Sequence, residues 1–192
     1  MSQTFEDQKI RCGWVSADPL YISYHDEEWG QPVYEDAHLF ELLCLEGQQA
    51  GLSWITVLKK RENYRRAFHH FDPRKVAAMT DADIDALMQD AGLIRHRLKL
   101  DAIVVNARVY MKMLQEGESF SQFLWSFTDG KPVLNRPDTL ANVPAKTEVS
   151  DLMSKALKKK GFKFIGSTIC YAFMQSSGMV NDHVKTCFCG KC

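Results

Sequence analysis

Hydrophobic residues recur every three or four positions along most of the chain, which is the spacing of one face of an α-helix. A first helix is predicted from Asp36, a potential N-cap, to about Gly47. A second is predicted from Ser53, also a potential N-cap, and Pro73 would stop or restart the chain. The pattern therefore predicts helices for the first part of the core.

Capping residues divide the middle of the chain into three further predicted helices. Residues 72–73 (Asp-Pro) open a short one, and residues 80–83 (Thr-Asp-Ala-Asp) begin the next, which ends at Gly92. After a tight turn, apolar residues at helical spacing predict a long helix from about Arg97 to Leu114. This segment is thus predicted as helix, turn and helix.

The last third of the chain also lacks a clear strand pattern. Residues 130–144 contain three prolines and little periodicity, which predicts a loop that crosses between lobes. Helix resumes at about Ser150, and another helix covers residues 168–174 and stops by Gly178. Residues 162–166 alternate, but no other segment offers a convincing strand partner. The predicted fold class is all-α.

The composition is that of an ordinary globular protein. With 192 residues, 45% hydrophobic and 25% charged, the chain can bury one core or two small helical lobes that share a surface. No apolar run approaches the roughly 20 residues of a membrane-spanning helix, and the N-terminus has neither a basic start nor an apolar segment. We therefore expect a cytoplasmic protein without a membrane partner.

The charge distribution leaves nucleic-acid binding open. Lysine and arginine number 24 and so do aspartate and glutamate, which gives a formal net charge of zero. Basic residues nevertheless cluster at 59–61, 95–99 and 155–163. Such clusters can form a face for phosphates, although solvated helix surface explains them equally well.

The six cysteines indicate metal binding or burial, because a chain without a secretory signal is expected in a reducing compartment. Cys44 and Cys170 lie in apolar helical stretches and are predicted to be buried small hydrophobes. Cys187, Cys189 and Cys192 lie close together at the C-terminus. These three could pair as ligands or form an unstructured thiol-rich end.

Two cysteines and two histidines near the chain ends suggest a metal site. His183 and Cys187 are four residues apart, which in a helical turn aims both side chains at one point, and Cys12 and His25 flank an aromatic segment. Together they would complete a closed tetrahedral zinc site that leaves no position for water. Such a site would be structural and would tie the two termini together.

Aromatic residues are concentrated in the first third of the chain, partly in a segment too polar to be a core helix. Half-exposed aromatic rings suggest stacking on a flat ligand, whereas the alternative is that they fill the junction between two lobes. The residues concerned are Trp14, Tyr21, Tyr24, Trp29 and Trp54.

Glu46 lies at the end of an apolar helix, where burial of a carboxylate is costly without a specific partner. The alternative is an exposed glutamate at a helix terminus. The stretch that follows, residues 47–54, has two glycines that allow a sharp turn or close approach of a ligand. The helix start after it could favour a phosphate.

These motifs together resemble the constitutive bacterial 3-methyladenine DNA glycosylase I family. The similarity runs from about Arg11 to Cys187 and keeps the order and spacing of every motif. The motifs are residues 11–14 (RCGW), 18–21 (DPLY), 24–30 (YHDEEWG), 45–54 (LEGQQAGLSW), 161–166 (GFKFIG), 168–175 (TICYAFMQ) and 181–183 (NDH).

The resemblance implies a two-lobed helix-hairpin-helix glycosylase fold for residues 1–192, with the active site in the cleft. One lobe would contain the N- and C-terminal segments with the zinc site, and the other about 36–115, with the hairpin near 93–99. By motif match, a structural Zn²⁺ falls on Cys12, His25, His183 and Cys187. The base pocket falls on Glu46, the recognition carboxylate, and on Trp14, Tyr21, Tyr24, Trp29 and Trp54.

The expected DNA contacts come from a loop and from the hairpin. The loop is the plausible wedge that fills the place of a flipped base and contains Gln49, Gly51 and Leu52; the hairpin cations are Arg95, Arg97 and Lys99. Both hairpin positions where the wider superfamily commonly has glycine carry arginine, which disfavours backbone contacts to phosphate. The catalytic aspartate of related glycosylases is also absent, as in this family.

The implied activity is base excision repair by a monomer. The enzyme would flip alkylated adenine out of double-stranded DNA and hydrolyse its bond to deoxyribose, leaving free 3-methyladenine and an abasic site. Because no lysine is placed as a Schiff-base nucleophile, strand cleavage is not expected. The rival interpretations are a module that binds a modified base without cutting and a zinc hydrolase or redox sensor.

Overall fold

The computed structural model describes residues 3–191, and most of these lie in helices, the majority of them α-helices. The all-α class predicted from the hydrophobic spacing is confirmed. Within the described residues the helices are α1 (Pro19–Ser23), α2 (Asp36–Gln49), α3 (Trp54–Leu58), α4 (Arg61–Ala67), α5 (Pro73–Ala77), α6 (Asp81–Leu87), α7 (Arg97–Gln115), α8 (Phe120–Trp125), α9 (Glu148–Lys160) and α10 (Ser167–Ser176).

Side-chain caps begin several helices where the sequence predicts them. The Asp72 carboxylate accepts from the backbone N–H of Arg74 at 3.0 Å, and Thr80 forms a capping box with Asp83 at the start of α6. At α2 the prediction is wrong, because the N-cap is Glu35. The Asp36 carboxylate instead accepts from the N–H of Ser121 at 2.8 Å and so joins two helices.

The single helix predicted between Ser53 and Pro73 is divided in the structure. The chain leaves regular helical geometry at Lys60 (φ −100°, ψ −4°), between α3 and α4. A three-residue turn at His69–Phe71 follows, with φ of 51°, 55° and 56°. After the break, α3 contacts α1 and α2, whereas α4 contacts the turn at His69–Phe71, which hydrophobic spacing alone does not show.

Two pairs of short strands are present, contrary to the expectation that no segment has a strand partner. β1 (Gln3–Thr4) pairs antiparallel with β2 (Ile10–Arg11), and β3 (Val133–Leu134) pairs parallel with β4 (Val180–Asn181). Each strand has only two residues, too few for an alternating pattern to be visible. The β3–β4 pair attaches the predicted loop at 130–144 to the C-terminal segment.

Helix α2 lies at the centre of the packing. It contacts α7 and α10, and α7 and α10 pack in turn against α5 and α9. Nine of its fourteen residues are buried, including Cys44, and Cys170 in α10 is buried as predicted. The division into two lobes at about 36–115 remains a prediction. Among residues 3–191 no helix combines the length and the apolar character needed to cross a membrane.

Candidate functional site

A cavity of about 330 Å³ opens beside α2, between α10 and the aromatic N-terminal segment. The structure brings together all six side chains that the sequence and the resemblance place in a base pocket. Their role in binding a base remains a prediction. The cavity is lined by Trp14, Tyr21, Tyr24, Trp29, Glu46, Gln49, Trp54, Leu140, Val143, Ala172 and Gln175.

A widened helical turn places the aromatic side chains. Residues Tyr24–Glu28 form a π-helical turn, which Trp29 closes by donating its N–H to the carbonyl of Tyr24 at 2.9 Å. Tyr24 faces the cavity, whereas its neighbour His25 belongs to a buried cluster of cysteines and histidines. The turn therefore connects the cavity to this cluster.

The aromatic rings support one another mostly through tilted and edge-on contacts. The Trp14 ring centroid lies 5.0 Å from those of Tyr21 and Trp29, and those of Tyr24 and Trp54 are 5.4 Å apart. Such contacts fix ring positions, and each ring offers an electron-rich face to a flat or cationic ligand. The rings thus pack against one another and also line a cavity, and their stacking on a flat ligand remains a prediction.

Glu46 is only 2% exposed, so the alternative of an exposed helix-terminal glutamate is wrong. Burial raises the pKa of its carboxyl group to about 8, although the Ser176 hydroxyl acts in the opposite direction. Within the described residues its Oε2 has no hydrogen-bond partner, and neither has the buried indole N–H of Trp54. The cavity therefore offers an acceptor and a donor that a polar ligand can satisfy.

Gln175 is a cavity residue that the sequence analysis missed. It lies three residues after Ala172 on α10, in a mostly apolar run where a lone amide was the available signal. Its amide nitrogen donates to Oδ2 of Asp182 at 2.8 Å, and Asp182 also accepts from Tyr171 at 2.6 Å and from Asn135 at 2.8 Å. This network fixes the orientation of the Gln175 amide beside the cavity.

The loop that follows α2 extends from the cavity to the surface. Gln49 lines the cavity, Gly51 has φ of +78°, and Leu52 at the tip is 41% exposed. An L-residue rarely adopts this φ, so glycine allows the turn. An exposed apolar side chain beside a cavity suits a wedge, and the wedge role of loop 49–52 remains a prediction.

Two of the three hairpin cations lie at the surface. Arg95 is exposed, and Arg97, whose side chain is 39% exposed, pairs with Asp85 and Asp101. Both pairs are exposed and therefore weak, so DNA phosphates can compete for the guanidinium. DNA contact by Arg95 and Arg97 remains a prediction.

Lys99 differs from the other two hairpin cations, and the structure does not support its predicted contact with DNA. Its side chain is buried, with 5% of the residue exposed. The ammonium group donates to the carbonyl oxygen of Gln48 at 2.9 Å and to that of Ala50 at 2.5 Å. The cation is therefore engaged by the end of α2 and turned away from solvent.

The four side chains predicted to bind metal converge on one point, and all are buried. Their ligand atoms lie within 4.8 Å of one another. Cys187 Sγ is 3.5 Å from His25 Nε2 and 3.6 Å from His183 Nδ1, and Cys12 Sγ is 3.7 Å from the same His183 atom. Tetrahedral zinc with bonds of about 2.3 Å to sulfur and about 2.0 Å to nitrogen would separate these atoms by about 3.5 Å. The residues therefore fit zinc.

Hydrogen bonds outside the cluster orient both histidine rings. His25 Nδ1 lies 2.7 Å from Oδ1 of Asp26, a carboxylate that also pairs with Arg11. His183 Nε2 lies 3.0 Å from the carbonyl oxygen of Trp29, whose indole lines the cavity. Partners of this kind fix which nitrogen faces a metal. The cluster thus supports the cavity wall directly.

The remaining C-terminal cysteines are only partly described. Cys189 is half-buried, and its sulfur lies within 4.8 Å of ligand atoms of His25 and Asp26. Cys192 lies outside the described residues. His183 and Cys187 lie on either side of a turn at residues 185–186, not in the helical turn that their spacing suggested.

Comparisons with known proteins agree with this geometry. The methyladenine glycosylase family model matches residues 14–190. The chain is 63% identical to DNA-3-methyladenine glycosylase 1 of Escherichia coli (strain K12) over 179 residues, which cover 93% of this chain and 96% of the relative.

Solved structures give the same result. One, a crystal structure of a 3-methyladenine DNA glycosylase I, has a TM-score of 0.92 and 60% identity, covering 93% of this chain and 98% of its own. A variant of another such enzyme, in complex with 3-methyladenine, has a TM-score of 0.89 and 44% identity, covering 93% and 96%. The chain belongs to the methyladenine glycosylase family.

Proposed function

We propose that this protein excises 3-methyladenine from double-stranded DNA, releasing the free base and leaving an abasic site. The observation that carries the proposal is the buried, unpartnered carboxyl oxygen of Glu46 in an aromatic cavity. The relative named DNA-3-methyladenine glycosylase and the related 3-methyladenine complex support this substrate.

Access to the base requires that it leave the duplex. Unstacking costs a few kcal/mol, which stacking against the aromatic rings of the cavity offsets. Loop 49–52, with the exposed Leu52 at its tip, would fill the gap in the DNA stack. Loop 49–52 would therefore extend from the cavity, which Gln49 lines, to the duplex, which Leu52 would enter.

Selectivity follows from charge. Methylation at N3 makes the adenine of a nucleotide cationic, and a cation is attracted by aromatic ring faces and by a carboxylate. Glu46 would accept a hydrogen bond from the exocyclic amino group and stabilise the positive ring. Ordinary adenine is neutral and gains less from both interactions.

The same charge promotes the reaction. As the bond between C1′ and the base breaks, its electron pair moves into the ring and neutralises it, and water adds to C1′ and loses a proton. Little acid catalysis is needed, and the cavity accelerates excision by binding the alkylated base in preference to the normal one. Because no lysine is among the described residues that line the cavity, we expect hydrolysis without strand cleavage.

We further propose that Cys12, His25, His183 and Cys187 hold one structural zinc ion. A shell of four protein ligands leaves no position for water or substrate, so the ion would fold the protein and not act on DNA. Since the named relatives are bacterial and bacterial DNA lies in the cytoplasm, we propose that this protein acts in that compartment, as a monomer.

The test is to incubate the protein with methylated duplex DNA and to identify the released bases by chromatography. Native protein should release 3-methyladenine, Glu46→Gln should release much less, and the surface control Glu116→Gln should match native protein. Release by native protein no faster than spontaneous depurination would contradict the proposal. Tight binding of methylated DNA without release of a base would favour the alternative interpretation, a module that binds a modified base without cutting.

A further inference from the structure

A buried polar network joins the end of α2 to the hairpin and does not line the cavity. Its three central side chains are Gln48, Tyr64 and Lys99, which are 1%, 0% and 5% exposed. Polar groups this deeply buried are costly unless each has a partner, so their arrangement requires a physical reason.

The bonds of the network are reciprocal. The ammonium of Lys99 donates to the carbonyl oxygens of Gln48 and Ala50, and the Gln48 side chain donates back to the Lys99 carbonyl at 2.9 Å. The Tyr64 hydroxyl donates to Oε1 of Gln48 at 3.0 Å and accepts from the N–H of Ile94 at 3.1 Å. Two points of the hairpin are thereby bonded to the end of α2.

The cation is well placed to stabilise this helix end. The last carbonyl groups of a helix have no partner within the helix, and a positive charge near them is favourable. In α2 these carbonyls stand where the chain turns into loop 49–52, whose Ala50 already has non-helical angles (φ −45°, ψ 115°). Lys99 therefore fixes the base of the loop whose tip is Leu52.

We propose that Lys99 is a positioning residue that holds loop 49–52 in the conformation in which Leu52 enters the DNA stack. Because Lys99 belongs to the hairpin, contact of the hairpin with DNA also positions this loop. The inference rests on the proposed function. It replaces the phosphate contact predicted for Lys99, because a buried ammonium bonded to two carbonyl groups is not available to phosphate.

The experiment compares Lys99→Met with native protein in three measurements. Single-turnover release of 3-methyladenine from methylated duplex should fall at least about tenfold, the scale of a lost charge-assisted hydrogen bond. Affinity for free 3-methyladenine should stay within about twofold, because Lys99 does not line the cavity. The dependence of DNA binding on salt should not change, whereas a lost phosphate contact lowers its slope by about 0.9.

Two further variants separate positioning from other roles. Arg95→Met, at the exposed hairpin cation, should lower the salt slope. Gln48→Met leaves the Lys99 ammonium on its two carbonyl groups but removes the side-chain bonds of Gln48 to the Lys99 carbonyl and to the Tyr64 hydroxyl, so it should slow excision, less than Lys99→Met does, with normal free-base affinity. If Lys99→Met does not fold, Gln48→Met still tests whether the network positions loop 49–52.

Three results would overturn the inference. These are native excision rates in Lys99→Met or Gln48→Met, a reduced salt slope in Lys99→Met, or an equal loss of free-base affinity and excision. Absence of release by native protein would instead contradict the proposed function, so the two failures are distinguishable.

Discussion

At the scale of single residues, the protonation of Glu46 controls recognition. Its pKa of about 8 means that the carboxyl group is largely protonated at neutral pH, because burial without a counter-charge disfavours the carboxylate. A cationic base reverses this preference by pairing with the carboxylate. Substrate binding is therefore expected to expel a proton from the cavity.

We predict that the excision rate at subsaturating DNA rises with pH and levels off above about 8. Glu46→Gln should give a flat profile, lower by about tenfold to a hundredfold, because hydrogen bonds to charged groups contribute about 1.5–3 kcal/mol. Release of 3-methyladenine is measured from about pH 6 to about pH 9, with spontaneous depurination subtracted. A flat native profile would contradict the role given to Glu46.

The same residue should weaken the fold as the pH rises. Its folded pKa of about 8 lies above the ordinary 4.5, so the folded state holds the proton more tightly, and the free energy of unfolding falls as pH rises between these values. Glutamine cannot ionise. We therefore predict that Glu46→Gln is more stable than native protein above about pH 8, by a few kcal/mol at about 1.4 kcal/mol per pKa unit.

Denaturant unfolding of both proteins at about pH 5 and about pH 9 measures this effect. The other titrating groups are common to both proteins and cancel in the difference. The stability difference should be smaller at the lower pH, and an equal difference at both pH values would show that the folded pKa of Glu46 is not raised.

Local chemistry decides which residue roles could be predicted. Glu46 interrupts an apolar helix, and the cost of burying its carboxylate marks the position in the sequence itself. Lys99 lies in a basic cluster and looks like its neighbours, because its burial depends on the end of α2 some fifty positions earlier. Gln175 likewise gains its orientation from Asp182, a partner that helical spacing does not reveal.

At the scale of elements, the C-terminus of α10 holds the strand-like segment after Trp29. Gly30 donates its N–H to the carbonyl of Gln175, and Val33 donates to that of Ser177, both at 3.0 Å. Gly178 ends the helix with φ of +68°, and a Cβ there would lie 2.2 Å from the carbonyl carbon of Gln31. Both the turn and the close approach require glycine.

We predict that Gly178→Ala destabilises the protein by several kcal/mol, since strain from positive φ adds to an unavoidable backbone clash. Gly117→Ala is the matched control: its φ is +78°, but no atom lies within 4 Å of the added Cβ. It should cost about 1–2 kcal/mol. Denaturant unfolding compares the two, and equal losses would exclude the clash.

Elements defined by neighbouring residues were predictable, whereas those defined by distant contacts were not. The caps at Asp72 and Thr80 act within one helical turn and were visible in the sequence. The β3–β4 pair joins residues far apart in the chain. The break at Lys60 separates α3, which contacts α1 and α2, from α4, which contacts the turn at His69–Phe71. No local pattern encodes either feature.

At the scale of the whole molecule, the four-ligand cluster joins the two ends of the chain. Cys12 and His25 precede the central helices, and His183 and Cys187 follow them. The ion would thus close a loop that includes most of the protein, and its binding energy would add to folding. None of the four ligands lies within α1–α10, so the backbone hydrogen bonds of these helices do not depend on the metal.

We predict one zinc ion per chain and its loss in Cys12→Ser. Removal should lower the free energy of unfolding by at least about 3 kcal/mol, equivalent to a melting temperature lower by about 10 °C. Excision should also fall, because the Trp14 ring lies 5.2 Å from that of His25 and the carbonyl of Trp29 contacts His183. Metal analysis, thermal unfolding and base release measure the three effects.

Cys189→Ser is the matched control, because this sulfur is near the cluster yet outside the four-ligand set. It should keep the zinc, the melting temperature and the activity, since the four remaining ligands already complete a tetrahedron. Equal loss of zinc in both variants would make Cys189 a ligand and disprove the closed shell. Absence of zinc from native protein would contradict the proposed metal site. The four side chains would then be held together by the hydrogen bonds among them.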